Sequence, residues 1–503
     1  MRRFAAFAEL DRRSLGCLRI GTATVLAWDM LRAQSVAADW WAMQAYHEPK
    51  LPTWLIFGSE AMTLRLAASA VLIVAVLLAL GWRTRQVTLI AWVSAGAFQF
   101  AASGTADYHN AVLCVLLFWC LALPTGAVLS LDARAGRRPQ LPGWLTVAAG
   151  AGLLLSLAWI YLCTAVVKSG PAWWQEGSAV WLALLDRGTP TAPGRWLALA
   201  APAGIWPTIT HAALLFEYVA PVLILWPRCR VYAALGLALF HLGMWPVLAL
   251  GSFPLLMMVA ASTLIPGSTW DRLGWRQQNE TARVSTPRRV VAERVVAGLM
   301  ALGLLITAEG ERVVAWEGDT VWPYAGAGHV ARLRYLLGME IIWGMYAPEP
   351  FHAAGWWVAV GWHADGTVVD PITGEPPTLR PPAPSGPGSR LRWLAFSDAP
   401  YLDDDWGIQH IYRNFLLERR NGRGADQLHR LALVWVHEPL TPFESPVLRQ
   451  PALVLTWPQG QVSAAAVEEV LETSLHVPVF DDESGPLTGV RALSLSPSEQ
   501  WLP

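Results

Sequence analysis

Among the side chains that carry charge or exchange protons in or beside the apolar runs of the first half of the chain, six stand out: Arg19, His109, Lys168, His211, Glu217 and His241. An amine, a carboxylate and three imidazoles suit general acid and base catalysis, or hydrogen bonding to a polar ligand. A lysine or arginine at the centre of a membrane helix costs about 2.5 kcal/mol or more, so each needs a partner or a task. Arg19 sits early in its run, His109 opens one, His211 and Glu217 share one, and His241 lies inside another. Lys168 closes its run, and the chain then turns through Ser169, Gly170 and Pro171 into Trp173 and Trp174. This pattern brings His109, Lys168 and His211 to one depth near the outer ends of their helices, with His241 deeper. Plainer readings stand beside it. Lys168 or Arg19 can snorkel to an interface, and a lone helical histidine is usually a packed, hydrogen-bonded residue. Glu217 is equally a partner of Arg19, a proton relay or a buried neutral acid, and spacing alone leaves these open.

Imidazole also suits zinc, iron and copper. With no HExxH, no ligand pair at i and i+4 and no CxxC, the sequence predicts no metal site. No GxxxxGK[ST] or GxGxxG stands beside a strand, which argues against nucleotide binding. Net charge is −1 and no Lys/Arg cluster carries interleaved aromatics, so nucleic acid is not an expected partner. The cysteines, Cys17, Cys114, Cys120, Cys163 and Cys229, lie in or beside apolar segments and read as small core residues.

The elements that must position these groups are membrane helices. Of 503 residues, 54% are hydrophobic, only 15% are charged and 29 are tryptophan, which marks a membrane protein. Apolar runs lie at 15–31, 61–80, 86–103, 109–127, 143–167, 208–226, 231–250, 252–266 and 290–307, predicting an all-α polytopic bundle of about nine crossings, the eighth short and holding Pro254. The arginine-rich interruptions, among them "GWRTRQ", "DARAGRR" and "WPRCR", all fall on one side of that arrangement. The positive-inside rule then places the N-terminus in the cytoplasm and the chain after about 308 outside. The opposite loops, such as "KSGPAWWQEGSAVWLALLDRGTPTAPGRW", are rich in indoles that favour the headgroup interface. Residues 328–351 read as an amphipathic interfacial segment. Beyond them, "AAGWWVAVGWHADGTVVD" alternates like a strand and turns at Asp365-Gly366, and "LHRLALVWVHEP" reads as another strand. The predicted division is a membrane domain over 1–308 and an extracytoplasmic β-rich domain over 309–503, with a proline-rich linker near 376–389.

Several ordered segments carry a family resemblance: "SLGCLRIGTATVLAWD", "DYHNAVLCVLLFWCLALPTGAVLSLD", "YLCTAVVKSGPAWWQEGSAVWLAL", "THAALLFEYVAPVLIL" and "FHLGMWPVLALGSFP". Over about residues 14–266 the chain resembles the horizontally transferred transmembrane (HTTM) domain, the family of the vitamin K-dependent γ-glutamyl carboxylase. The resemblance implies that Lys168 is the general base and that His109 and His241 act with it. It implies that Arg19, His211, Glu217 and Trp173 bind the quinone. The implied co-substrates are a reduced, menaquinol-like quinol of the vitamin K type, oxygen and carbon dioxide. Oxygen converts the quinol into a base strong enough to take a proton from glutamate Cγ, and carbon dioxide adds to that carbon. The implied partners are an exported peptide and the quinone of the surrounding lipid. Burial disfavours the ammonium form of a lysine and leaves a usable amine, which makes the assignment physically coherent. The outer region shows no residue-level match to the carboxylase's propeptide-gripping surface. Two other readings therefore stay open: a non-catalytic quinone- or lipid-binding membrane subunit, and a quinol oxidoreductase that carboxylates nothing.

Overall fold

The computed structural model describes residues 8–35, 60–101, 108–137, 143–186, 190–275, 345–350, 352–371, 373–379, 413, 416–417, 428–444, 450–459, 461–475 and 496–497. The helices of the first half are α1 (Arg12–Ser35), α2 (Glu60–Leu80), α3 (Thr84–Ala101), α4 (Tyr108–Cys120), the short α5 (Leu131–Arg134) and α6 (Gly143–Val167). There follow α7 (Pro171–Trp174), α8 (Ala179–Leu185), α9 (Ala192–Ala200), α10 (Trp206–Leu225), α11 (Arg230–Met244), α12 (Phe253–Ser262) and α13 (Gly267–Arg272). Three stretches, Met62–Leu80, Leu145–Val167 and Ala203–Leu225, are long and apolar enough to cross a bilayer, and His109–Cys120, Arg230–Met244 and Phe253–Ser262 are shorter apolar helices. The predicted run 290–307, the 308/309 boundary, most of the interfacial segment and residues 380–389 of the linker lie outside the described residues.

The shorter helices have local causes. The run predicted over 109–127 stops being helical at Cys120, just before Pro124, whose ring cannot continue the hydrogen-bond ladder. Likewise α11 ends at Met244, two residues before Pro246. The loop predicted between the fifth and sixth runs is largely helical and buried: every residue of α8 except Val180 is inside. Its "AVWLALL" is apolar on all sides, too short to span and driven into the bundle instead.

At Arg19 in α1 and at the start of α3, the chain is tied by polar groups. The Asp132 carboxylate accepts from Arg83 N (3.0 Å), Thr84 N (2.7 Å) and Thr84 Oγ1 (2.8 Å), capping α3 from the short helix α5. Arg19 donates to the carbonyls of Thr125 (3.2 Å) and Leu129. Burial pushes the Asp132 carboxyl up, but the hydrogen bonds from Thr84 and Arg83 and the charge of Arg137 outweigh it and hold it below the usual value of 3.8.

The second half contributes a five-stranded sheet in the order β2-β1-β3-β4-β5, antiparallel except for β4 with β5. The strands are β1 (Ala353–His363), β2 (Val368–Val369), β3 (Leu428–Pro439), β4 (Gln450–Trp457) and β5 (Ser496–Pro497), with α14 (Ala464–Leu475) after β4. Strand periodicity sorts the side chains onto two faces. Trp356, Val358, Val360 and Trp362 join Ala432, Val434 and Val436 against Val467 and Leu471 of α14. Ala359 joins Leu431 and Leu433 against Leu416 and Leu417. The sheet is tied to the bundle by a strap over residues 345–350 and, after β3, by the buried Leu440 and by Phe443, whose ring lies 5.8 Å from that of Trp181.

Candidate functional site

Lys168 stands one residue past α6, where its helix is spent but its amide still donates to Ala165 O (3.3 Å). Pro171 at the first position of α7 sets the φ that turns the chain back. That turn slides the Trp173 ring beneath the amine, with Nζ 4.6 Å from the ring centroid, and lets Trp174 Nε1 donate to Lys168 O (2.8 Å). From α10, packed against α6, Glu217 presents both carboxylate oxygens at 2.6 Å from Nζ. Lys168 is 7% exposed and Glu217 6%. The lysine thus meets a carboxylate and an indole face, both attractive to a cation, where the sequence pattern suggests imidazoles.

Glu217 therefore pairs with Lys168 and not with Arg19. The same helix explains why His211 does not join them. Six residues on an α-helix turn through about 240°, so the rotation that faces Glu217 inward turns His211 onto the exposed surface of α10. Arg19 is committed to the carbonyls of the 125–129 loop, toward the opposite end of α1 from Asp29.

Tyr161 lies on α6, seven residues before Lys168. Its hydroxyl is 2.6 Å from His241 Nε2, and it lies within electrostatic reach of Glu217. The imidazole, 2% exposed, is ringed by Phe240 (5.4 Å between centroids), Phe253 (5.6 Å) and Tyr161 (6.2 Å). Phe216 closes the set against Tyr161 and Phe240.

Next to Phe253, Ser252 donates to Asp29 Oδ1 (3.2 Å), and Asp29 Oδ2 is 3.2 Å from Nε2 of the buried His109. That second contact is at ion-pair distance without the alignment of a hydrogen bond. The structure thus gathers Lys168, Glu217 and Trp173 into one cluster and sets His241 with Tyr161. His109 is placed with Asp29 beyond the phenylalanines. Asp29 and Tyr161 are absent from the candidates the sequence offers. Asp29 carried a legible signal, as an acid inside an apolar run, whereas a tyrosine in such a run is unremarkable until its hydroxyl is seen to face an imidazole.

Trp173 has a further hold. Its Nε1 donates to Tyr346 O (2.8 Å), Gly170 N donates to Pro348 O (3.0 Å) and Ala172 N to Glu349 Oε2 (3.1 Å). The strap thus grips the turn that carries the lysine. A Cβ on Gly170 would fall 2.6 Å from Glu349 Oε2 and 2.8 Å from its Cβ, so glycine is what lets the strap lie this close. Among the described residues no group of three or more His, Cys, Asp and Glu is arranged around a common metal position.

Apolar helices long enough to span, with a buried ion pair and two buried histidine pairs, define a helical membrane protein with a polar layer inside it. The HTTM domain matches residues 7–270, just over half of the 503-residue chain, and the protein belongs to that family. Every residue of the three clusters lies within the match, while the strap and the sheet lie beyond it. Comparison with curated proteins and with solved structures returned no match.

Proposed function

We propose that the protein is a quinol-dependent enzyme of the membrane, similar in chemistry to vitamin K-dependent γ-glutamyl carboxylase. It removes a proton from a quinol and uses the oxygenated product to carboxylate glutamyl side chains of an exported peptide. The observation that carries this reading is the buried Lys168 amine held between Glu217 and the Trp173 face. The reading includes nine crossings, a cytoplasmic N-terminus and an extracytoplasmic sheet that receives the peptide.

The residue types suit such a group: the Trp173 ring lies against the Lys168 amine, the rings of Phe216, Phe240 and Phe253 cluster around Tyr161 and His241, and His241 Nδ1 is buried with no hydrogen-bond partner among the described residues. When bound, the quinol supplies, with oxygen, the strong base that takes the glutamate Cγ proton. The chain's own task is proton uptake. Lys168 and Glu217 together share one proton, as ammonium with carboxylate or as amine with carboxylic acid. Accepting a second from a ligand hydroxyl leaves ammonium and carboxylic acid, a net positive charge facing the new anion. In a site that excludes water this attraction is far stronger than in solution. Trp173 fixes the amine from below, and the strap fixes Trp173.

The test uses purified protein in lipid nanodiscs with reduced menaquinone, oxygen, labelled carbon dioxide and a glutamate-rich peptide. Lys168→Arg keeps the charge but not the ability to release the proton. Loss of turnover by about 10²- to 10⁴-fold, with the thermal transition retained, is the expected result. Turnover equal to wild type would remove Lys168 from the mechanism. Quinol oxidation without labelled peptide would leave an oxidoreductase.

A further inference from the structure

We propose that Glu349 is a positioning residue for Lys168: from beyond the HTTM match, its carboxylate holds the turn that keeps the Trp173 ring beneath the amine. The proposal rests on the quinol reading above and deepens it, because it makes the site one that the membrane domain does not complete alone.

Pro171 carries no amide hydrogen, and Ala172 N stands too early in α7 to find an acceptor within that helix. Ala172 is fully buried, where an amide without an acceptor is costly. Glu349 Oε2 supplies that acceptor at 3.1 Å. The other carboxylate oxygen, Oε1, lies 3.7 Å from His352 Nε2, and His352 O accepts from Leu440 N at 2.8 Å. Glu349 therefore stands between the residue that precedes β1, secured to the segment after β3, and the turn that carries the lysine. Two neighbouring contacts keep the carboxylate in register: Gly170 N donates to Pro348 O (3.0 Å), and Trp173 Nε1 to Tyr346 O (2.8 Å). Tyr346 holds a φ of 58°, a left-handed conformation that residues other than glycine seldom adopt, and such strain persists where the surroundings impose it. The strained residue is the one whose carbonyl receives the indole. Removing the Glu349 acceptor leaves Ala172 N unmet, loosens the turn and lets the ring leave the amine. A base displaced by a fraction of an ångström loses rate and not affinity, since the contact it fails to make belongs to the transition state. Glu349 touches no ligand in this arrangement and acts through Trp173 and Lys168.

Full-length protein in nanodiscs, labelled with 5-fluorotryptophan, gives two readouts: the ¹⁹F signal that Trp173→Phe removes, and kcat and KM for reduced menaquinone. Glu349→Ala should move or broaden that signal and lower kcat by about three- to tenfold, the scale of one hydrogen bond, with KM within about twofold. A residue that served folding alone would change neither the signal nor kcat per folded molecule. Glu349→Gln keeps an acceptor oxygen and should recover most of the loss. Gly170→Ala is the second variant should Glu349→Ala fail to fold. Its φ of −74° admits alanine, and the new Cβ displaces the carboxylate, so it should reproduce both changes. A Trp173 signal and a kcat like wild type in both alanine variants would overturn the proposal, as would a Glu349→Gln variant as impaired as Glu349→Ala. If wild type itself shows no turnover, the enzyme reading fails and the ¹⁹F signal alone decides: displacement in Glu349→Ala upholds the hold on Trp173, and an unmoved signal overturns it.

Discussion

Two of the basic side chains that the bundle buries, Arg19 and Lys168, are treated oppositely. Arg19 is spent on main-chain carbonyls, and its neighbour Asp132 on main-chain amides and a threonine hydroxyl, none of which releases or accepts a proton near neutrality. Lys168 meets Glu217, a group that exchanges protons, across two helices. A buried charge answered by backbone can only fasten, whereas one answered by a titratable side chain can also exchange a proton with it. The difference is one of partner, not of burial, since both cations are nearly inaccessible.

The sharpest way to break this contrast is to strand the lysine. Glu217→Leu leaves an uncompensated buried ammonium and is expected to lower stability by about 3–5 kcal/mol in detergent unfolding, whereas Lys168→Met with Glu217→Leu recovers most of it and has no turnover. If the double variant is as unstable as the single, the pair is not what the bundle answers to. Asp132→Ala uncaps α3 and should cost about 1–2 kcal/mol, with turnover per folded molecule unchanged. A fall in turnover would make the Asp132 region part of the machinery.

Acid separates the same two regions. The Asp132 carboxyl is held below 3.8, so its stabilisation is present above that pH and is lost as pH falls through the lower value of the folded state. The stability gap between wild type and Asp132→Ala should stay constant from about pH 6 to about pH 4 and close only below it. Closure near neutrality would contradict the assignment. The smallest effect belongs to Trp173→Phe, which keeps an aromatic face under the amine and loses the bond to Tyr346 O. A cost of about 0.5–1.5 kcal/mol and a modest fall in turnover are expected, with unfolding and turnover as the readouts.

Much of this was legible beforehand. The apolar runs locate the helices, the alternation of "AAGWWVAVGWH" and "LHRLALVWVHEP" locates β1 and β3, and Asp365-Gly366 marks the turn from β1 to β2. Helix ends were less legible, because Pro124 and Pro246 stop helices inside runs whose composition continues. Pairing was the hardest. That Glu217 faces Lys168 depends on α10 lying beside α6, and no periodicity within either helix encodes its neighbour. The outward turn of His211, by contrast, was available once Glu217 was placed inside, since it needs only the helical repeat. Asp29 and His109 come from helices far apart in the chain and meet only through the packing of α1, α4 and α12.

The strap over residues 345–350 makes the two halves poor candidates for free exchange. Grafting another outer sheet onto this bundle would need those few residues to travel with the membrane part, or the turn below Lys168 would lose its grip. Lineages that shuffle outer domains should then place their junctions downstream of Glu349, never between Trp174 and the strap's own acceptors.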